Sequence, residues 1–251
     1  MTLKIDFNCD MGESFGAWKM GNDDAILPFV SSANIACGFH GGDPATMRKT
    51  VAAAIKNGVR LGAHPGLPDL QGFGRRNMAI TEQEAYDMVV VQIGALAAVA
   101  TSQGSYLRHV KAHGQLYNMS VKDEGLARAL AQATYDVNPA LVFYGLAGSK
   151  MLDIAKSIGL QVASEVFGDR TYSPDGTLSP RNKPGAMIED VHVSIKQVLQ
   201  MVQQGTLVAN DGTTIRVRAD TLCIHGDQPG APAFARAIRD ALIENGVTVG
   251  I

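Results

Sequence analysis

Short apolar runs alternate with helix-length amphipathic stretches along nearly the whole chain, and this alternation limits the fold more than any other feature. Candidate strands lie at 4–8, 33–37, 59–63, 108–112, 141–144, 160–166 and 221–225, with a last short one at 247–249. Helix signals sit between them. Asp43-Pro44 reads as the cap and first residue of a helix through about Lys56, stopped by Gly58. A capping side-chain oxygen satisfies free N–H groups, and proline suits the first turn. Thr81 and Glu84 make a capping-box pattern, and Ala85, Met88, Val89, Gln92, Ile93, Leu96 and Val99 follow it at helical spacing. Ile188, Val191, Ile195, Val198, Leu199 and Val202 form one stripe over 188–204, and Pro232 opens a final helix that Gly246 closes. Strand–helix alternation implies a mainly parallel α/β sheet covered by helices, either a closed barrel or an open doubly wound sheet. Residues 206–218 break the rhythm, because Asp211-Gly212 between two β-rich runs predicts a β-hairpin excursion. No linker divides the chain, so residues 1–251 read as a single domain.

Composition narrows the functional classes. With 22 basic and 24 acidic residues, a formal charge of −2 offers no footprint for a phosphate backbone, so nucleic acid is not an expected partner. The three cysteines, Cys9, Cys37 and Cys223, are widely spaced and odd in number, which fits a reducing compartment rather than a disulfide framework. The N-terminal MTLKIDFNCD lacks an apolar signal core, and the most apolar stretch, 88–100, is short and contains Gln92. A cytoplasmic protein without membrane partners is expected.

The polar residues that need an explanation lie at strand ends. Strand side chains alternate between faces, so Asp6, Asn8 and Asp10 share one face, with Asp10 at the exit. Gly38 with His40, Gly62 with His64, His109 with Lys111 and His113, Glu165 with Phe167 and Asp169, and Cys223 with His225 and Asp227 pair up in the same way. Residues at the C-terminal strand ends of parallel α/β folds meet in one crevice. Six such ends carry titratable groups beside glycine: CDMGE, CGFHGGD, GAHPG, KAHGQ, VFGDR and IHGDQPG. Taken singly, most of these residues have ordinary structural explanations. His192 falls on an exposed helix face and His109 in mid-strand, and Asp43 is first of all a helix cap. The joint pattern is what marks a site.

Two chemistries fit it. Imidazoles and carboxylates can hold a divalent metal that activates water, with Asp10, His40 and His64 as the candidate ligands. Metal-free acid–base chemistry would instead use His113 or His225 to move protons, Asp10 to orient water and Lys111 to stabilise negative charge. Lys111 between two histidines argues against a cation at the same spot. GLAGSK at 145–150 fails the P-loop spacing, and neither a dinucleotide fingerprint nor a nucleophile elbow is present.

The strings NCDMGESFG, ANIACGFHGGDP, GAHPGLPDLQGFGRR, RHVKAHGQLYN, SEVFGDRTY and CIHGD, in this order, resemble the LamB/YcsF family over about residues 4–249. The resemblance implies a distorted seven-stranded β/α barrel like that of glycoside hydrolases and deacetylases. It implies the A subunit of a 5-oxoprolinase that cleaves 5-oxo-L-proline to L-glutamate with ATP as co-substrate, Mg with the ATP, and subunits B and C as partners. In that setting Asp10, Lys111, His113 and His225 are the expected catalytic residues, with Asp10 and His113 handling water. Asn8, Glu13, His40, Asp43, His64, Arg75, Glu165 and Asp227 are the expected substrate-binding residues. Lys111 with Arg75 or Arg76 would meet phosphate or the substrate carboxylate. A free-standing metal-dependent amide or carbohydrate hydrolase, and a non-catalytic substrate-binding component of a complex, are the competing readings. The hairpin at 206–218 and the loop at 168–184 are candidate partner surfaces or lids.

Overall fold

The computed structural model describes residues 3–226 and 230–250. In chain order the strands are β1 Leu3–Met11, β2 Ser32–Ala36, β3 Arg60–His64, β4 Leu107–Lys111, β5 Val142–Leu146, β6 Gln161–Phe167, β7 Thr206–Val208, β8 Thr214–Arg216, β9 Thr221–His225 and β10 Val247–Val249. The helices are α1 Asp23–Ile26, α2 Pro44–Lys56, α3 Glu82–Thr101, α4 Gly114–Lys122, α5 Glu124–Val137, α6 Lys150–Ile158, α7 Val191–Leu199 and α8 Ala231–Glu244. Strands β1 to β6 and β9 pair in parallel in sequence order, and β9 pairs back onto β1 to close a seven-stranded barrel. Of the two sheet topologies that the alternation left open, the closed one is therefore adopted. β10 adds a short parallel pairing to Leu3–Ile5. β7 and β8 form the expected antiparallel hairpin, with the Asp211 carboxylate accepting from Thr213 at its turn.

The barrel's two faces are unusual in what they bury. Ile5, Phe7, Cys9 and Met11 of β1, Ile35 of β2, Leu61 of β3, Val110 of β4, Phe143 of β5 and Leu222 and Ile224 of β9 belong to the apolar core. They alternate with Asp6, Asn8, Asp10, Asn34, His109, Lys111, Thr221 and Cys223, which hydrogen-bond to one another across the barrel interior. The interior of many β/α barrels is filled by branched aliphatic layers; here it is a polar network, and the apolar core lies between strands and helices. Burying polar groups this way is tolerable because each of these residues has at least one hydrogen-bond partner, although His109 Nδ1 is left without one. The Asp6 carboxylate alone accepts from Ser31, Ser32, Tyr144 and Thr221.

This network explains a boundary that sequence reading misplaces. β1 runs on through Met11 rather than ending at Asn8, and Asp10 is a paired strand residue opposite Asn34 and His225, not an exit residue. Asn and Asp are poor strand formers, but here their side chains are satisfied across the barrel. The 188–204 stripe shifts in a related way. Asp190 caps α7, so Ile188 precedes the helix, and the buried side is Ser194, Val198 and Met201. α4, α5 and α6 fill intervals in which the sequence reading bounded no helix.

α3 has the length and composition to cross a membrane, but in this fold it is an outer barrel helix. The Thr81–Glu84 capping box forms as expected, and Ala85, Val89, Ile93, Leu96 and Ala100 are buried. Its buried Gln92 accepts from the Gly66 N–H and donates to the Gly66 carbonyl, fixing the chain just after β3.

Gly62 shows how tight the interior is. A Cβ there would overlap the His109 imidazole, which stacks on Tyr144 and reaches Asn34. Gly94, on the open face of α3, has nothing near its Cβ position. Denaturant unfolding should show Gly62→Ala losing about 1–3 kcal/mol through overpacking, and Gly94→Ala gaining about 0.5–1 kcal/mol through helix propensity.

Candidate active site at the barrel mouth

Lys111, at the end of β4, holds the centre of the site. Its ammonium donates to Asp10 Oδ1 at 2.7 Å and Cys223 Sγ at 2.9 Å and stands 3.2 Å from Glu165 Oε1. Burial alone would drive the amine toward neutrality, but Asp10 foremost and then its other neighbours hold its pKa well above the ordinary lysine value. Burial likewise pushes the Asp10 carboxyl up, and His64 and Lys111 outweigh it, so Asp10 titrates well below the usual carboxylate range. Burial raises Glu165 despite Lys111, and burial pushes the Cys223 thiol well up, which keeps it protonated. Cys9, Cys37 and Cys223 are all buried free thiols.

On one side of this centre stands an Asp–His pair. Asp169 Oδ2 is 2.7 Å from His225 Nδ1 and also accepts the His225 backbone N–H at 3.0 Å. Burial opposes the Asp169 charge, but His225 overcomes it and keeps the pKa low. A carboxylate on Nδ1 fixes the proton there and presents the Nε2 lone pair. Nε2 accepts from the Arg181 guanidinium at 2.7 Å and lies 4.0 Å from Asp10 Oδ2. His225 and Arg181 line a cleft of about 30 Å³ with Asp10, His64, Lys111, Tyr117, Asn118 and Arg170. That is room for one or two water molecules. On the other side of His225 and Asp169 lies a cavity of about 480 Å³, walled mainly by Ile188, Val191, Ala231, Phe234 and Ala237.

On the opposite side of Lys111 the imidazoles gather. His64 Nδ1 donates to the Lys111 carbonyl at 2.7 Å, and His113 Nε2 donates to the Phe73 carbonyl at 2.8 Å. Phe73 has φ 55°, the one non-glycine in the left-handed region among the described residues, and its ring packs edge-on to His40 and His113. Such strain persists where the surroundings enforce it, commonly at sites. His113 Nδ1 faces His64 Nε2 at 3.0 Å and Glu13 Oε1 at 3.4 Å, and His40 Nε2 faces Glu13 Oε1 at 3.3 Å. His64 Nε2 is 3.2 Å from Asp10 Oδ2. Burial holds His40 and His113 well below the ordinary histidine pKa. Two donor sets could hold a metal here: Glu13, His40, His64 and His113, and separately Asp10, Cys223 and His225.

Most of the anticipated residues therefore converge. Asp10, His64, Lys111 and His225 line the cleft. Asn8 and Glu165 lie beneath it, linked to each other at 3.2 Å. Glu13, His40 and His113 form the buried imidazole side. Other expectations change. Asp43 is the α2 cap, and its carboxylate also accepts from Gly16 and Thr46. Arg75 stacks on Phe73 and Arg76 pairs with Asp69, so the cations facing the cleft are Arg170 and Arg181 instead. Asp227 lies outside the described residues. His109 turns inward into the polar network, and His192 is exposed. Sequence reasoning placed Asp169 on the right face without a role and passed over Arg170, Tyr117, Asn118 and Arg181. The VFGDR string holds Asp169 and Arg170. Arg181 arrives from a loop without periodicity, so nothing local identifies it.

A closed parallel β/α barrel with an acid–imidazole–lysine centre at its C-terminal mouth belongs to the broad class of barrel enzymes. A GH113 β-1,4-mannanase shares the fold at TM-score 0.52 with 11% identity over 96% of this chain and 99% of that one. Residues 5–250 match the LamB/YcsF family, and the chain belongs to it. It is 65% identical over 249 residues to the A subunit of the 5-oxoprolinase of Bordetella parapertussis, covering 99% of both chains. The crystal structure of a lactam utilization protein from Thermus thermophilus superposes at TM-score 0.93, with 47% identity over 99% of each chain.

Removing the central cation should strand buried carboxylates. Lys111→Met is expected to lose about 3–5 kcal/mol of unfolding free energy, and adding Glu165→Gln should recover part of the loss in the same denaturant titration. Burial lowers the His109 pKa from 6.5 to about 4. A folded-state value below the unfolded one contributes stability above pH 6.5 that is lost as pH falls toward 4. In His109→Gln, the decline of unfolding free energy across that window should be shallower by one proton's worth.

Proposed function

We propose that this chain is the A subunit of an ATP-dependent 5-oxoprolinase and that its barrel mouth opens the lactam ring of 5-oxo-L-proline to give L-glutamate. The near-full-length identity to a chain of that name carries the reading, and the His225–Asp169 pair beside Asp10 supports a hydrolytic step. A five-membered lactam is unstrained and its amide is resonance-stabilised, so coupling to a phosphoryl donor makes the carbon a better electrophile. The γ-phosphoryl group of ATP passes to the lactam oxygen and ADP leaves. Water adds to the activated carbon, the C–N bond breaks with the amine taking a proton, and a second water releases phosphate from the acyl phosphate.

The cleft residues fit these needs. His225 Nε2 offers a lone pair for the water's proton, and Asp169 stabilises the imidazolium that forms. Asp10, oriented by Lys111, sits across from it. Arg170 and Arg181 suit the substrate carboxylate or the transferred phosphoryl group. The cleft is too small for the lactam acid while Arg181 rests on His225, so binding moves Arg181 from the imidazole onto the anion. This assigns the water-handling role to His225 rather than to the more deeply packed His113. Partner subunits B and C, ATP with its Mg, a cytoplasmic location and one barrel domain over residues 1–251 complete the reading.

Glutamate release from 5-oxoproline should require ATP and the partner subunits, and should be absent with the chain alone. In the reconstituted complex, His225→Gln and Asp10→Asn should each lower kcat by about 10²-fold or more. Arg181→Gln should raise KM for 5-oxoproline more than it lowers kcat. Full ATP-coupled turnover in both His225→Gln and Asp10→Asn would overturn the assignment.

A further inference from the structure

The imidazole side of the site has a problem that the proton-transfer chemistry does not solve. The Lys111 carbonyl and the Phe73 carbonyl can only accept hydrogen bonds, so the protons lie on His64 Nδ1 and His113 Nε2. With one proton on each ring, the lone pairs of His64 Nε2 and His113 Nδ1 face each other at 3.0 Å, with Glu13 Oε1 3.4 Å from His113 Nδ1 and Asp10 Oδ2 3.2 Å from His64 Nε2. Four acceptors gathered in a buried pocket repel unless positive charge, either a second proton on His64 or a metal ion, lies among them. The spacing suits a metal ion. Ligands held about 2.0–2.1 Å from an ion stand roughly 2.9 Å apart at right angles and roughly 3.4 Å apart at the tetrahedral angle. The two rings are also nearly perpendicular, at 86°.

We propose that Glu13 Oε1, His64 Nε2 and His113 Nδ1 bind one divalent transition-metal ion, zinc by its donor set, at a site distinct from any Mg that accompanies ATP. Two imidazoles and a carboxylate favour zinc and its neighbours over magnesium, which prefers oxygen ligands. Both rings carry the outer hydrogen bond typical of metal-bound histidine, each to a backbone carbonyl. The left-handed Phe73 has a purpose in this scheme, since it is what turns that carbonyl toward His113.

This differs from a set of Asp10, His40 and His64. Asp10 is engaged by Lys111, whose ammonium already stands among Asp10, Cys223 and Glu165 and would repel a second cation there. His40 stacks parallel on His113, with ring centroids 3.6 Å apart and planes within 1°, so the two rings cannot aim at one point. His40 instead holds Glu13 through Nε2, and its own Nδ1 is buried without a partner. His64 is the shared wall, because it lines the cleft and belongs to the trio.

The test uses the isolated full chain without substrate, so its outcome is independent of the lactam assignment. The chain is stripped with chelator, checked for a retained fold by circular dichroism, and titrated with Zn²⁺, Co²⁺ and Mg²⁺. One equivalent of Zn²⁺ should bind and raise Tm, Co²⁺ should give d–d absorption, and Mg²⁺ at the same concentration should give neither. His113→Gln and Glu13→Gln should each lose the Co²⁺ spectrum or weaken binding by 10-fold or more, whereas His192→Ala should keep one equivalent. Folded wild-type protein that takes up no Zn²⁺ would overturn the proposal, as would full Co²⁺ binding in folded His113→Gln and Glu13→Gln. Imidazole ¹⁵N NMR of the wild type decides the matter without any variant. A proton shared between His64 and His113 that persists with saturating Zn²⁺ refutes the site, and its loss on adding Zn²⁺ upholds it.

Discussion

A single ammonium inside the barrel organises everything around it. Lys111 is almost wholly buried, and its contacts to Asp10, Glu165 and Cys223 tie β4 to β1, β6 and β9. An isolated charge in that position would be prohibitive, and carboxylates without it would be just as costly. The interior therefore behaves as one electrostatic unit in which each member makes the others tolerable. The polar ladder below it, from Asp6 through Asn8 and Asn34, extends the same logic down the barrel. The apolar stabilisation has to come from elsewhere, and it does: alternate strand residues meet the helices in a continuous outer core.

This arrangement splits the mouth into two chemically different halves. Toward β9, Asp169 and His225 make a proton-handling pair that opens onto the cleft. Toward β3 and the start of α4, His64, His113, Glu13 and His40 form a dense donor cluster with the left-handed Phe73 at its edge. Asp10 touches both halves, lying 3.2 Å from His64 and 4.0 Å from His225. A shift in either half is therefore felt by the same carboxylate.

Much of this was readable from residues alone. Alternating strands and helices, the Asp43 and Thr81 caps and the Asp211-Gly212 turn appear where local chemistry puts them. The converging strand-end residues were legible because period-two alternation places His109, Lys111 and His113 on one face whatever the tertiary context. What was not legible depends on partners distant in sequence. β1 runs past Asn8 only because Asn34, Lys111 and Thr221 satisfy its polar side chains. Arg181 lines the cleft while Arg75 stacks on Phe73, and neither was legible because neither loop carries a repeat that fixes where its side chains point. The tautomers of His64 and His113 depend on two backbone carbonyls, and a sequence does not disclose those directions.

The closure of β9 onto β1 has a consequence for biogenesis. Asp6 pairs with Thr221, and Asp10 with His225, so the last wall of the barrel is supplied by residues made more than 200 positions after the strand they pair with. Until then the ammonium and its carboxylates have an open, wet side, and contacts of such long sequence separation form slowly. A nascent chain arrested before β9 would leave the facing edges of β1 and β6 unpaired, and unpaired strand edges are what make folding intermediates prone to aggregate.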